Sequence, residues 1–362
     1  MKYRVTCLSP TLVGDGQKLS PIDYMVWRDH VNVLDQRRIF KLLARNQSRL
    51  DGYLAQLKKA DKLDFASWGG FAQNFAGRRI PLEHASLMAH FERARPENLF
   101  IPTFAANTGG AYLPGTAVKG ALRTGALSAR LSEAAMRELA KRLEGDRLPR
   151  RLGERVEDQL LGGSGSNKMR AVSTADSGVV PYSAMKVYML RTSTLAARGP
   201  KLELAWKTSP RGTVARADDA TPVFVEMATP GTAFDGQWNE SNPDSRRSIF
   251  RAANQYAAAI LDRHLHYAET TGLKALEANL RALSERSRTS DACLLAIGWG
   301  GGLLGKSAYV NSEDTSYREI LRQIPPFERA IQSGLPFPKT RRIIFEAGQP
   351  ASLPGWVLLE VG

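Results

Sequence analysis

Apolar residues along this chain recur with the two-residue period of a strand in some segments and the 3.6-residue period of a helix in others. The two never settle into the regular β-α-β-α alternation of a parallel, doubly wound sheet. Residues 2–8 predict a strand, and 9–21, with Pro10, Gly14, Gly16 and Pro21, a loop. Residues 22–27 and 31–34 predict a hairpin turning at Arg28-Asp29-His30, after which Asp35 caps a helix over 36–43. Helices are expected over 48–59 and, with Pro81 at its start, 82–93. A strand over 99–105 and a turn over 107–110 lead to a helix that opens at Pro114-Gly115-Thr116 and continues to 131. Residues 137–155 are polar and helical, and 162–167 have the composition of a flexible loop. Strands follow at 171–174, 184–190, 201–206 and 223–227, helices at 244–268 and 273–288, and a final strand ends the sequence at 356–361. Hairpins interleaved with helix pairs predict an α+β fold, its antiparallel sheets covered by helices on one face.

Charge narrows the function. The chain carries 50 Lys and Arg against 36 Asp and Glu, a formal net charge of +14, which points to a polyanion as partner. A membrane is not expected, because the longest apolar runs, such as 294–297 and 357–359, are far too short to span one. The first residues lack the apolar core of a signal peptide. Cys7 and Cys293 each sit in an apolar run, which predicts buried reduced thiols in a cytoplasmic protein rather than a disulfide framework.

Gly300-Gly301-Gly302-Leu303-Leu304-Gly305-Lys306-Ser307 satisfies the phosphate-loop pattern G-x-x-x-x-G-K-[ST] behind an apolar run at 294–297. Glycines let backbone amides close on phosphate oxygens, and the lysine adds a point charge. A nucleotide hydrolase also needs a helix straight after the loop and further parallel strands. Ala308-Tyr309-Val310-Asn311 is a poor helix start, and too few residues remain for such a sheet. A glycine-rich loop that lets an RNA backbone pass close uses the same physics without hydrolysis. In the helix opening at Pro114, Thr116 lies in the first turn, where free amides attract anions. Lys119 and Arg123, four apart, share one face across the low Gly120. An ordinary solvated basic face fits those residues equally well. Lys339, Arg341 and Arg342 stand beside the β-prone run 343–345, where a solvated edge is the plainer reading. No metal pair emerges from His30, His84, His90, His264 and His266, since 264 and 266 diverge on a helix. No nucleophile elbow, H-E-x-x-H or C-x-x-C motif is present, and no cofactor is expected. Asp15 and Asp23 flank the first loop, where a carboxylate could act on an RNA 2′-hydroxyl; capping the loop is the plainer role.

Four regions, in order along the chain, resemble one family. Leu8-Ser9-Pro10-Thr11-Leu12-Val13-Gly14-Asp15-Gly16 with Leu19-Ser20-Pro21-Ile22-Asp23-Tyr24 resembles the opening of the fifth Csm subunit of type III-A CRISPR effector complexes, in the RAMP superfamily. Tyr112 to Arg123 resembles that superfamily's P-G-[ST]-[SA]-h-K-G-A-h-R helix opening, where h is apolar. Gly298 to Lys306 resembles its glycine-rich loop, and Pro338-Lys339-Thr340-Arg341 with Gly355-Trp356-Val357 the subunit's tail. Relatives often carry His where this chain has Leu12, which removes one candidate acid–base group.

The resemblance implies two ferredoxin-like, RRM-related domains, 1–195 with a helical insertion and 196–362 with the glycine-rich loop. It implies a non-catalytic subunit that binds the 3′ part of the CRISPR RNA and caps the backbone filament, serving RNA maturation and antiviral defence. The expected partners are CRISPR RNA, neighbouring backbone subunits and target RNA. Thr116, Lys119, Arg123, Gly300, Gly301, Gly302, Gly305, Lys306, Lys339 and Arg341 would contact RNA. Asp23 sits where a sibling subunit keeps its target-cleaving aspartate, which leaves a RAMP ribonuclease as the alternative.

Overall fold

Strand Lys2–Cys7 alternates outward and buried residues, so Tyr3, Val5 and Cys7 share one face, as a two-residue period demands. The computed structural model, which describes residues 1–59, 74–143, 153–163, 165–199, 201–209, 212–286 and 292–362, places this strand at the centre of a five-stranded sheet. The order is Ala292–Ala296, Trp356–Val361, Lys2–Cys7, Ala233–Glu240, Val172–Thr174, and every neighbouring pair is antiparallel. A second sheet is built on Met185–Arg198. Its first half pairs with Val223–Ala228 and its second with Lys201–Lys207, while Thr340–Glu346 lies along the other edge. A three-stranded sheet of Tyr24–Trp27, His30–Leu34 and Ala76–Pro81 joins the second sheet through a parallel bridge between Leu82 and Val187. The architecture is α+β with antiparallel sheets, as the alternating patterns predict.

Helix Gly115–Ser128 and the long helix Pro243–Thr271 cross over the first sheet and close its core. At their crossing a Cβ on Gly125 would lie 2.6 Å from the Ala253 Cα, so only glycine lets the two backbones come this close. Asn242 caps the long helix by accepting from Ser245 N at 2.7 Å, Pro243 occupies its first turn, and Gly272 ends it in a left-handed conformation. Each fully buried Val, Leu or Phe in this core contributes about 1.5–3 kcal/mol through burial.

Several expectations are corrected. Residues 76–81 form a strand, and the helix expected from 82 begins at Leu87. Of the strand expected over 99–105, only Ile101–Pro102 pairs, with Lys18–Leu19. The strand expected at 184–190 continues to Arg198, because Lys201–Lys207 folds back on its second half. The dividing point between 195 and 196 falls inside that strand, and the first sheet draws strands from both sides of it. Residues 144–152 of the polar helical stretch, 164 of the glycine-rich loop and 287–288 lie outside the described residues.

Replacing Gly125 by Val forces the crossing helices apart. The expected loss is about 1–3 kcal/mol, read as a lower urea midpoint at unchanged slope.

Candidate nucleic-acid interface

Antiparallel register decides where the loops of the first sheet emerge. Cys7 pairs with Val357 and Ala296 with Trp356. The chain therefore leaves Lys2–Cys7 and Ala292–Ala296, and enters Trp356–Val361, at one end of the sheet. The opening loop, the glycine loop and the turn at 353–355 meet there. Backbone bonds join them: Gly355 N donates to Pro10 O at 3.0 Å, Ile297 N to Gly355 O at 2.8 Å and Trp299 N to Leu12 O at 2.8 Å. Gly298, at φ +74°, could carry no side chain, since a Cβ would overlap the Leu12 carbonyl.

Between the opening loop and the glycine loop lies a cleft of about 470 Å³, lined by Gly14, Gln17, Lys18, Thr103, Trp299 and Lys306 among others, with no carboxylate among its described lining residues. Lys306 and Lys18 are exposed, and Lys18 sits 4.4 Å above the Phe100 ring. The exposed Arg342 stacks on Trp299 at 4.6 Å. Cations with aromatic faces beside a glycine-relieved backbone suit the phosphates and bases of a single strand. Lys18, Trp299 and Arg342 were not among the expected RNA contacts. Adjacent strand residues face opposite ways, which signals that Arg341 and Arg342 must diverge, but not which one turns outward.

Arg341 turns inward and is only 8% exposed. Its Nε donates to His264 Nδ1 at 2.8 Å, its Nη1 to the carbonyls of Pro338 and Thr340 at 2.7 and 2.9 Å, and its plane covers Tyr267 at 4.5 Å. Burial pulls its guanidinium down to about 10, still a cation at neutral pH. His264, fully enclosed beside that cation, is held well below its ordinary range and is neutral. Arg341 is therefore reached only through the cavities it lines, unlike its exposed neighbour. Lys339 is half-buried and its carbonyl accepts from Leu195 N at 3.0 Å.

On helix Gly115–Ser128, Thr116, Gly120 and Arg123 are exposed and Lys119 half-buried. Nothing stands over Gly120. The first amide is already occupied: Gly115 N donates to Asp176 Oδ1 at 2.8 Å. Arg123 pairs with Glu157. The helix opening is thus partly neutralised by the protein's own carboxylates, and Lys119 is the cation of this face without a carboxylate at ion-pair distance among the described residues.

Asp23 holds its loop, with Oδ2 accepting from both the amide and the hydroxyl of Ser20 at 2.7 Å. The glycine loop is not a nucleotide hydrolase's phosphate loop. Its preceding strand lies in an antiparallel sheet, and the next helix begins only at Thr315. No cluster of three or more metal-ligating side chains occurs among the described residues, and none of their helices is long and apolar enough to cross a membrane.

A methyl group at Gly298 separates the opening loop from the glycine loop. For Gly298→Ala we expect a lower melting temperature and faster amide exchange over 11–16 and 298–302, with the long helix still protected.

No curated protein sequence matches the chain. Its fold is similar to a chain of a Csm-crRNA-target RNA ternary complex of a type III-A CRISPR-Cas system, with a TM-score of 0.71, 20% identity and coverage of 99% of this chain and 100% of that one. It is also similar to Csm5 of T. onnurineus, with a TM-score of 0.64, 17% identity and coverage of 98% and 99%. The family profile of the RAMP superfamily matches residues 4–304, and the chain belongs to that superfamily.

Proposed function

We propose that this protein is a non-catalytic RNA-binding subunit of a type III-A CRISPR ribonucleoprotein. It holds the 3′ part of the CRISPR RNA, caps the backbone filament, and so serves RNA maturation and antiviral defence. One observation carries the reading: a RAMP-superfamily chain gathers its opening loop, its glycine loop and the cations Lys18 and Lys306 around one cleft without a lining carboxylate, with Arg342 stacked on the Trp299 of its wall. Such a groove tracks phosphates with little demand on sequence. The likeness in fold to a chain of a Csm-crRNA-target RNA complex supports CRISPR RNA, sibling subunits and target RNA as partners. The reading includes two ferredoxin-like units, each centred on one of the two large sheets. In it Thr116 and Lys119 contact the RNA backbone beside Gly120, Arg123 joins them when Glu157 releases it, and Gly300–Gly305, Lys306 and Lys339 line the path. A terminal position needs one heterologous interface and no matching one beyond it, which halts growth of the filament.

Binding of a labelled single-stranded RNA across a salt series tests the assignment. Tight binding with a steep salt slope, indifferent to ATP, is expected. Each lost phosphate contact lowers the slope by about one, so Lys306→Glu with Arg342→Glu lowers it by about two, and Lys119→Glu by about one. Unchanged slopes in both variants overturn it.

Asp23 serves as a loop clamp in this reading. Asp23→Ala removes two hydrogen bonds to a charged group and costs about 1–3 kcal/mol in urea unfolding, while the RNA cleavage ladder of the assembled complex stays the same. Loss of one cleavage site would instead establish the ribonuclease alternative.

A further inference from the structure

Lined by the glycine loop and the start of strand Thr340–Glu346 is a second cavity, of about 190 Å³, which shares no described lining residue with the cleft. We propose that this cavity is a second site, built to take a single phosphate group with Arg341 as its counter-cation.

The argument begins with a charge that has no partner of opposite sign. Arg341 is more than nine-tenths buried, yet its bonds go to an imidazole, two carbonyls and an aromatic face, all neutral. No carboxylate lies at ion-pair distance from it among the described residues, and Glu313, which shares an adjoining cavity with it, pairs instead with Arg318. Buried charges are ordinarily paired, because leaving one unpaired is costly. The Arg341 Nη2 donor makes no hydrogen bond to any described residue, and Arg341 lines the cavity.

The other walls repeat the same polarity. His264 is 4% exposed, and its Nδ1 accepts from Arg341, so its proton is on Nε2. That N–H makes no hydrogen bond to a described residue, and His264 also lines the cavity. Thr192, Thr340, Gly301, Gly302 and the cation Arg342 line the same space. The two hydroxyls and the two glycine amides have no partner among the described residues, and the strand register puts both threonines on Arg342's side of the sheet. These donors come from four separate elements, with no carboxylate among the lining residues. The volume is below the range of about 300–1,000 Å³ typical of pockets for drug-sized ligands, which suits one phosphate and not a run of nucleotides.

That phosphate is either the terminal group of an RNA strand or free orthophosphate. The RNA source rests on the function proposed above; the phosphate chemistry of the cavity does not. Arg341 also holds the protein together, so the isosteric pair Thr192→Val with Thr340→Val carries the test. Neither hydroxyl bonds to a described residue, and the fold is checked by its melting curve.

The full chain is titrated calorimetrically with sodium phosphate at constant ionic strength, then with a short RNA bearing a 3′-phosphate, a 5′-phosphate or hydroxyls at both ends. Saturable one-site binding of phosphate, weakened about tenfold in the double variant, is expected, the size of losing hydrogen bonds to a charged group. One phosphorylated end is expected to bind RNA about tenfold tighter than the hydroxyl form, with the advantage abolished by free phosphate and by the double variant while the remaining RNA affinity persists. Phosphate binding with no preference for a phosphorylated end supports the site and assigns free phosphate as its ligand. Phosphate binding with no RNA binding at all supports the site and defeats the RNA reading. Absence of saturable phosphate binding, or equal binding by the folded double variant, overturns the proposal.

Discussion

Everything that points to function in this protein hangs from the antiparallel pairing of Lys2–Cys7 between Ala233–Glu240 and Trp356–Val361. Pairing two segments from opposite ends of the chain closes its longest loop, and the sheet must offset that entropy through buried apolar contact. Tyr3, Val5, Cys7, Phe234, Trp238, Val357 and Leu359 supply it, all essentially inaccessible. A slip of one residue would turn these side chains outward, so the core fixes the register. The register in turn fixes which loop ends coincide. The site is a consequence of the core and not a separate invention of the loops.

Much of this was legible in the sequence, and the reasons for the exceptions are physical. The final strand was expected at 356–361 and forms there, because its apolar residues follow a strand's pattern without interruption. The hairpin at Tyr24–Trp27 and His30–Leu34 was also legible, and its turn places Arg28 and Asp29 at positive φ, the geometry of a tight two-residue connection. Ala233–Glu240 was missed because its inward series is Phe234, Gly236 and Trp238, with a glycine where an apolar side chain belongs. The Tyr3 ring from the neighbouring strand fills that gap, which no local pattern can reveal. The helices Thr315–Arg322 and Pro325–Gln332 were missed for a similar reason: each is short, and they pack with Glu133–Arg142 in a satellite cluster far from it in sequence.

The glycine loop shows how one string of letters serves different physics. Gly298 and Gly300 are demanded by packing, against the Leu12 carbonyl and the Pro354 ring respectively, whereas Gly302 turns at φ +65° with open space before it. A nucleotide-binding loop spends its glycines on phosphate and hands the chain to a helix. Here the first glycines hold two neighbouring segments at contact distance, and the later ones leave backbone amides bare between two cavities. Pattern matching alone does not separate these uses; the antiparallel neighbours of the preceding strand do.

A net charge of +14 says less than where that charge remains uncompensated. Arg4, Arg78, Arg123, Arg191 and Arg281 are all engaged by carboxylates, and the Arg78–Glu226 pair is buried, where it ties the three-stranded sheet to the second sheet. Exposed pairs of this kind contribute little stability, but each one also withdraws a cation from any polyanion. Lys18, Lys306, Arg341 and Arg342 have no carboxylate at ion-pair distance among the described residues and stand near the sheet end where the loops converge. There strand alternation sends Arg342 out onto Trp299 and Arg341 in beneath the glycine loop. Two adjacent residues thereby set one exposed and one buried cation beside the same loop, and both line its inner cavity. Shielding strengthens an electrostatic contact, because the effective dielectric falls with burial. The inner cation is therefore the more discriminating of the two, and the outer one the more tolerant of whatever strand passes over it.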